Sequence, residues 1–240
     1  MGKIQAIILA GGQGSRLRPY TTVLPKPLMP VGEFPIAEII IRQFKACGIT
    51  NIMISTGHLA GLIEAYFKDG KQWGVKIQYV TEDDPLGTAG AVKLIKNLED
   101  HFLVINGDVL IDLDFAKMLQ DHKTRKNFAT IAITQRTVKT DFGVILKGKR
   151  NELVDYIEKP EHKSFVSVGV NVLNKECREY ILGHESIGMP ELMLRMKDKG
   201  KKVGCFEFKG MWLDLGRPED LELSQEVFLK NREKFLCLVK

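Results

Sequence analysis

The sequence predicts an α/β fold, a doubly wound and mostly parallel central sheet with helices on both faces. Three observations predict it. Short apolar runs alternate with helix-period segments through the first half of the chain, the pattern left by successive β-α-β units. A glycine cluster, Gly11-Gly12-Gln13-Gly14, directly follows the first apolar run, where such sheets turn from strand to helix. After about residue 137 the alternation gives way to short strands separated by turns, read as a small antiparallel or mixed extension covering the substrate side.

Residues 4–9 are an apolar run and form the first, buried strand. Apolar residues at 36, 37, 39, 40, 41 and 44 make one broad helical face over 36–47, ended by Gly48. Residues 52–55 form the second strand and 58–67 a helix. Residues 75–80 alternate as a strand does, and 88–98 form a helix opened by the turn Pro85-Leu86-Gly87. The fourth strand, 102–105, ends in Asn106-Gly107-Asp108; a helix at 115–122 and a strand at 129–134 follow. Short strands are expected at 143–146, 153–157 and 167–173, helices at 175–182 and 189–199, and a strand at 203–208. Pro218, with Glu219 and Asp220 in the first turn, opens the last helix. No internal repeat, low-complexity stretch or linker occurs, so one domain over 1–240 is expected.

Composition narrows the function. A chain of 240 residues with 44% hydrophobic and 27% charged residues is that of an ordinary globular domain with a real core. The net charge of +5 is mild and dispersed, which suits a small anionic substrate and argues against nucleic acid. Cys47, Cys177, Cys205 and Cys237 are scattered without zinc spacing, so a reduced, cytoplasmic setting is expected. The opening apolar run is too short for a secretion signal, and no run approaches the ~18 residues of a membrane span. Histidines 58, 101, 122, 162 and 184 are dispersed and expected on the surface or in the core. No Gly-x-Ser-x-Gly elbow supports a serine hydrolase.

The candidate site is built on the glycine cluster. Glycines let backbone N–H groups approach a ligand, and Arg16, Arg18 and Lys26 follow closely, a combination suited to a polyphosphate. A tight turn with ordinary surface cations is the alternative. The dinucleotide fingerprint fails at Leu17, and the Gly-Lys-Ser/Thr of a P-loop is absent. Open parallel sheets bind ligands beyond the carboxyl ends of their strands. The glycine loop, Thr56-Gly57, Glu82 and Asp108 all follow strands and would share that edge. Asp108 suits a hard cation such as Mg²⁺ or a turn cap. Asp214, flanked by Trp212, Leu213 and Leu215, needs a partner, either a shared metal or a Lys or Arg. Glu158-Lys159-Pro160 could hold a phosphate and sugar hydroxyls, or be a plain surface turn. Gly87 and Thr88 open a helix with free N–H groups, and Glu82, an acceptor, could read a base edge offering two donors.

Taken in order, Leu9-Ala10-Gly11-Gly12-x-Gly14-x-Arg16-Leu17-x-Pro19, Pro25-Lys26-Pro27-Leu28, Asn106-Gly107-Asp108, Glu158-Lys159-Pro160 and Trp212-Leu213-Asp214-Leu215-Gly216 resemble the sugar-1-phosphate nucleotidyltransferases, over residues 4 to 230. The resemblance implies a Rossmann-like nucleotidyltransferase fold and an enzyme that transfers a nucleotidyl group from an NTP to a sugar 1-phosphate, with Mg²⁺ as cofactor. It implies catalytic roles for Arg16, Lys26 and Asp108, and metal binding by Asp108 and Asp214. Nucleotide contacts are implied for Leu9, Ala10, Gly11, Gly12, Gly14, Arg16, Lys26, Glu82, Gly87, Thr88 and Asn106. Sugar-phosphate contacts are implied for Gly143, Glu158, Lys159, Ser167 and Asn171. Glu82 with Pro85-Leu86-Gly87-Thr88-Ala89-Gly90 is similar to the mannose-1-phosphate guanylyltransferase branch, where thymidylyl- and uridylyltransferases usually carry glutamine. GTP with mannose 1-phosphate, or a related hexose or heptose phosphate, is therefore the expected pair. A cytidylyl- or uridylyltransferase for another sugar or polyol phosphate, or a non-catalytic sugar-nucleotide-binding regulator, are the alternatives. Many guanylyltransferases of this branch carry a C-terminal β-helix, which is not expected in this chain, and the family's usual Asn-Ala-Gly is Ser167-Val168-Gly169. The expected partners are small-molecule substrates, with no membrane, and a homo-oligomer is left open.

Overall fold

A computed structural model describes residues 4–82, 84–183 and 185–237. The chain runs β1 (Gln5–Ala10), β2 (Pro30–Val31), β3 (Phe34–Pro35), α1 (Ile36–Ala46), β4 (Asn51–Thr56), α2 (Ala60–Phe67), β5 (Lys76–Thr81), α3 (Gly87–Leu94), β6 (His101–Asn106) and β7 (Val109–Ile111). It continues through α4 (Phe115–Thr124), β8 (Ala129–Lys139), β9 (Val144–Lys147), β10 (Leu153–Ile157), β11 (Glu161–Asn174), α5 (Met189–Asp198), β12 (Val203–Glu207), β13 (Trp212–Asp214), α6 (Pro218–Lys230) and α7 (Arg232–Phe235).

Seven strands form one sheet in the order β12-β8-β11-β6-β1-β4-β5. Every neighbouring pair is parallel except those of β11, which runs antiparallel to both β6 and β8. The period of two along β1 divides the core. Ala6, Ile8 and Ala10 pack with Phe44 of α1, Phe67 of α2 and Phe115 of α4 on one face. Ile7 packs with Val92 of α3 and with Leu192 and Met196 of α5 on the other. Helices therefore cover both faces, which explains why β1 is apolar at consecutive positions. Helix α1 buries Ile36, Ala37, Ile39, Ile40, Ile41 and Phe44, and Gly48 at φ +77° ends the turn that follows it. A third core joins α1 to α6 and α7 through Ile39, Leu215, Phe228 and Phe235. Among the described residues no helix is long and apolar enough to cross a membrane.

Several local expectations are corrected. The strand expected at 167–173 is the C-terminal part of β11, and it lies inside the main sheet between β6 and β8 rather than in an extension. Val168, Val170 and Val172 alternate along it and are buried on one face, in the same core as Ala6 and Ile8. The helix expected at 175–182 is a short 3₁₀ turn, Lys175–Tyr180, in which only Cys177 is buried. A segment with so little apolar surface gains no packing that would extend it. Strand β8 runs on to Lys139, past the predicted end at 134.

That overrun makes the second region of the molecule. From residue 135 onward, β8 pairs with the first half of β11 as an exposed ribbon, with Gln135 opposite Phe165 and Lys139 opposite Glu161. At its far end β9 and β10 form a separate antiparallel hairpin. Thr140 N–H donates to the Pro160 carbonyl at 3.0 Å where the ribbon crosses into the hairpin.

Candidate active site

The parallel strands β1, β4, β5 and β6 deliver their carboxyl ends to one cleft of about 620 Å³, within the range of small-molecule sites. Backbone hydrogen bonds tie these ends together. Gly107 N–H donates to the Leu9 carbonyl at 2.9 Å, Glu82 N–H to Thr56 at 2.9 Å, and His58 N–H to Gly11 at 3.4 Å. The cleft is lined by Leu9, Ala10, Gly11, Gly12, Gly14, Arg16, Lys26, Glu82, Gly87, Thr88, Asn106 and Asp108, so the structure brings together the residues singled out for the nucleotide.

The glycines have distinct causes. Gly14 sits at φ +61°, and its carbonyl accepts from Leu17 N–H and Thr21 Oγ1, both at 2.9 Å. A Cβ on Gly11 would stand 2.8 Å from Glu82 Oε1, and one on Gly57 would stand 2.9 Å from the Gly11 carbonyl. A Cβ on Gly12 would meet nothing, because that position opens into the cleft. The end of β4 thus presses directly against the glycine loop.

Glu82 is oriented by two donors: Ser55 Oγ at 2.7 Å to Oε1 and Leu86 N–H at 3.0 Å to Oε2. Gly87, at φ +74°, lies against the Ile187 backbone, and Thr88 Oγ1 accepts from Met189 N–H at 2.7 Å. The opening turn of α3 is therefore locked to the segment leading into α5.

Asp108 and Asp214 meet through a small ladder. β13 pairs with β7 with Asp214 opposite Val109, and Leu215 N–H donates to the Asp108 carbonyl at 3.0 Å. The nearly buried Lys26 ammonium lies between the two acids, paired with Asp108 and 3.9 Å from Asp214. Burial, then the charge of Asp108, holds the Asp214 carboxyl above its usual range, against the pull of Lys26 and Arg16. Asp108 caps no following helix; Asp114 caps α4 instead, accepting from Lys117 N–H at 2.9 Å. The Arg16 guanidinium lies over Gly216, where a Cβ would stand 3.1 Å from Nη1. Glycine loop and acid pair are thus parts of one site. The pair offers hard carboxylate oxygens, and among the described residues no cluster of three or more His, Cys, Asp or Glu could hold a metal. That set fits Mg²⁺, which binds through one or two carboxylates with substrate phosphates and water.

The residues expected to contact a sugar phosphate are not among those that line the cleft. Gly143 lies beneath the Tyr156 hydroxyl, Glu158 and Lys159 are exposed where the hairpin rejoins the ribbon, and Ser167 is exposed at a register shift in β11. Asn171 is buried opposite Val104 of β6. The shift at Ser167 brings Gly169, at φ +76°, against Asn106: a Cβ there would stand 2.8 Å from its Nδ2. This contact joins the cleft to the root of the ribbon.

Gly57, expected on this edge, lines the cleft, whereas sequence reasoning missed His58, which lines it too, and gave Gly216 no role. His58 was expected on the surface or in the core; its Nε2 stands 3.3 Å from the Thr21 carbonyl at the back of the loop. The signal for His58 was its position close behind the end of β4. His122 is a core histidine, bonded to Thr130 Oγ1 and to His101, and burial pushes it down to about 4. His162 is exposed, and His184 lies outside the described residues.

The family model described as Nucleotidyl transferase matches residues 5–230. The chain belongs to this family. It is 30% identical over 238 residues to the UTP–glucose-1-phosphate uridylyltransferase of Synechocystis, covering 90% of this chain and 61% of that protein. It is also 30% identical over 224 residues to the mannose-1-phosphate guanylyltransferase of Mycobacterium tuberculosis, covering 91% of this chain and 62% of that one. The chain thus spans less than two thirds of the length of these relatives. A Bacillus anthracis crystal structure described as a glucose-1-phosphate thymidylyltransferase with sucrose superposes with a TM-score of 0.76 at 28% identity, covering 93% of this chain and 94% of that one.

Proposed function

We propose that the chain transfers a nucleotidyl group from a nucleoside triphosphate to a sugar 1-phosphate, giving an NDP-sugar and pyrophosphate. The observation that carries this is the convergence of Asp108 and Asp214 on Lys26 at the mouth of the glycine-loop cleft. The relatives' names, all of transferases acting on glucose or mannose 1-phosphate, support it.

A phosphate oxygen of the sugar 1-phosphate attacks the α-phosphorus in line. The bond to the β-phosphate bridging oxygen breaks, and its electron pair leaves with pyrophosphate. The loop amides around Gly12 and the Arg16 guanidinium hold the β- and γ-phosphates and the charge that develops on the leaving group. Lys26, already flanked by two acids, contacts the α-phosphate. The attacking phosphate is ionised at neutral pH, so no general base is needed. Asp108 and Asp214 would hold Mg²⁺, whose chemistry when bound is to shield charge between the two reacting phosphates. Lys159 steadies the sugar phosphate, with Gly143, Glu158, Ser167 and Asn171 shaping the sugar end. Lys159 sits at φ +44°, an uncommon backbone conformation for a lysine and a local strain of the kind that gathers at functional sites.

GTP with mannose 1-phosphate is the leading pair. Glu82 lines the cleft as an acceptor, and guanine offers two neighbouring donors. The test is a matrix of four NTPs against a panel of sugar 1-phosphates with Mg²⁺, reading pyrophosphate release. Release with one NTP and one sugar phosphate family is expected; none with any pair overturns the proposal. Glu82→Gln is expected to lower kcat/KM for GTP by about 10–100-fold relative to UTP. An unchanged preference would remove Glu82 as the base reader.

A further inference from the structure

Helix α3, whose first turn faces the cleft, is held by a segment remote in sequence. Ile187 N–H donates to the Leu86 carbonyl at 2.8 Å, and Ala89 N–H donates to the Ile187 carbonyl at 3.0 Å. With the bond from Met189 N–H to Thr88 Oγ1, these close a clasp between residues 86–89 and 187–189. Glu185 extends it, since a Cβ on Gly90 would stand 3.2 Å from the Glu185 carbonyl. The far end of α3 is tied to the same segment: Lys93 Nζ donates to the carbonyls of Arg178 and Ile181, both at 3.0 Å.

Between Tyr180 and Met189 the described residues form no helix or strand, so side chains must set the course of this segment. Arg195 of α5 does so. Its guanidinium grips the Glu185 carboxylate with two nitrogens, Nη1 on Oε1 and Nη2 on Oε2, the second at 3.1 Å. Nη1 also donates to the Tyr180 carbonyl at 2.8 Å. The two side chains are only 24% and 28% exposed, and a bidentate fork fixes orientation as well as distance. Two residues on from Glu185, Ile187 bonds Leu86, and Leu86 N–H orients Glu82. Arg195 itself is not among the residues that line the cleft. We propose that Arg195 is a positioning residue for base selection: through Glu185 and Ile187 it holds the Leu86–Gly87 turn, and with it Glu82, in the geometry that reads the nucleobase. This rests on the reading of the cleft as a nucleoside triphosphate site.

Steady-state kinetics of the full chain with four NTPs tests this. Arg195→Met keeps a long side chain without the fork. Its preference for the best NTP over the next, as a ratio of kcat/KM, is expected to fall about tenfold through KM for the NTP, with kcat and KM for the sugar phosphate within about twofold of the parent. A merely structural role would loosen the whole site and raise both KM values, so the split between them tells positioning from general support. Glu185→Gln keeps the shape of the acid but not its charge. It should move the preference the same way by less, and it decides the matter if Arg195→Met misfolds. An active parent whose folded variants keep their preference, or raise both KM values alike, overturns the proposal alone. A parent inactive with every NTP overturns the reading of the cleft and the proposal with it. If Glu82→Gln keeps its preference while Arg195→Met loses it, Glu82 is not the base reader and the positioning of the turn stands.

Discussion

Strand β11 belongs to two regions that differ in how they are held. Its second half is buried in the sheet and presses Gly169 against Asn106 at the cleft. Its first half stands in the ribbon with β8, exposed and outside every core. The cleft is over-determined: strand ends bond one another through the backbone, and Gly11, Gly57 and Gly107 allow contacts that no Cβ permits. The ribbon has one ladder and little else. Groups that must stabilise a developing charge gain from a rigid frame, whereas groups that admit different sugars gain from a looser one. We place the nucleotide chemistry on the first and the sugar contacts on the second.

The largest effect is expected at the rigid end. Asp108→Asn keeps the shape of the side chain but removes the charge that pairs with Lys26. Turnover is expected to fall by about 10³-fold or more while the fold survives. Turnover within tenfold of the parent would remove Asp108 from the chemistry and break the contrast between the two regions.

The glycine loop and Asp108 were legible in the sequence because their signals are local, a strand followed at once by glycines or an acid. The place of β11 was not, because nothing within residues 161–174 says which strands they join. The ladder that sets Asp214 opposite Val109 likewise pairs segments remote in sequence. The residues alone offer a metal shared with Asp108 or a cation as the partner of Asp214, without choosing between them. Gly57 looked like the end of a strand; its need to be glycine depends on the Gly11 carbonyl 2.9 Å from its absent Cβ, a contact visible only in three dimensions.

Gly57→Ala sharpens the comparison through stability. The new methyl must push the glycine loop away, at a cost of about 1–3 kcal/mol. Arg136→Ala, on the exposed ribbon, is expected within about ±0.5 kcal/mol. Urea melts of the two variants check this, and equal costs would mean that the cleft is no more tightly built than the ribbon. Lys159→Ala probes the ribbon's own chemistry. KM for the sugar phosphate is expected to rise about tenfold while KM for the NTP and the melting temperature stay put. A rise confined to the NTP would move Lys159 to the other half of the site.

The smallest effect separates function from stability within the cleft itself. The Asp214 carboxyl is held above its usual range by burial and then by Asp108. A carboxyl whose folded pKa is raised favours folding only while protonated, and that contribution is lost as pH rises through the folded value. At neutral pH the ionised Asp214 therefore works against the fold. Asp214→Asn is expected to stabilise the metal-free protein at pH 7, by no more than about 1 kcal/mol, because the half-exposed side chain is screened by solvent. The gap should close below about pH 4, where the parent carboxyl is protonated as well. The same variant should lose turnover, since the strain at this acid is the counterpart of its readiness to hold a cation. A melting gap that persists unchanged at low pH would show that the gain came from packing rather than from the charge pair.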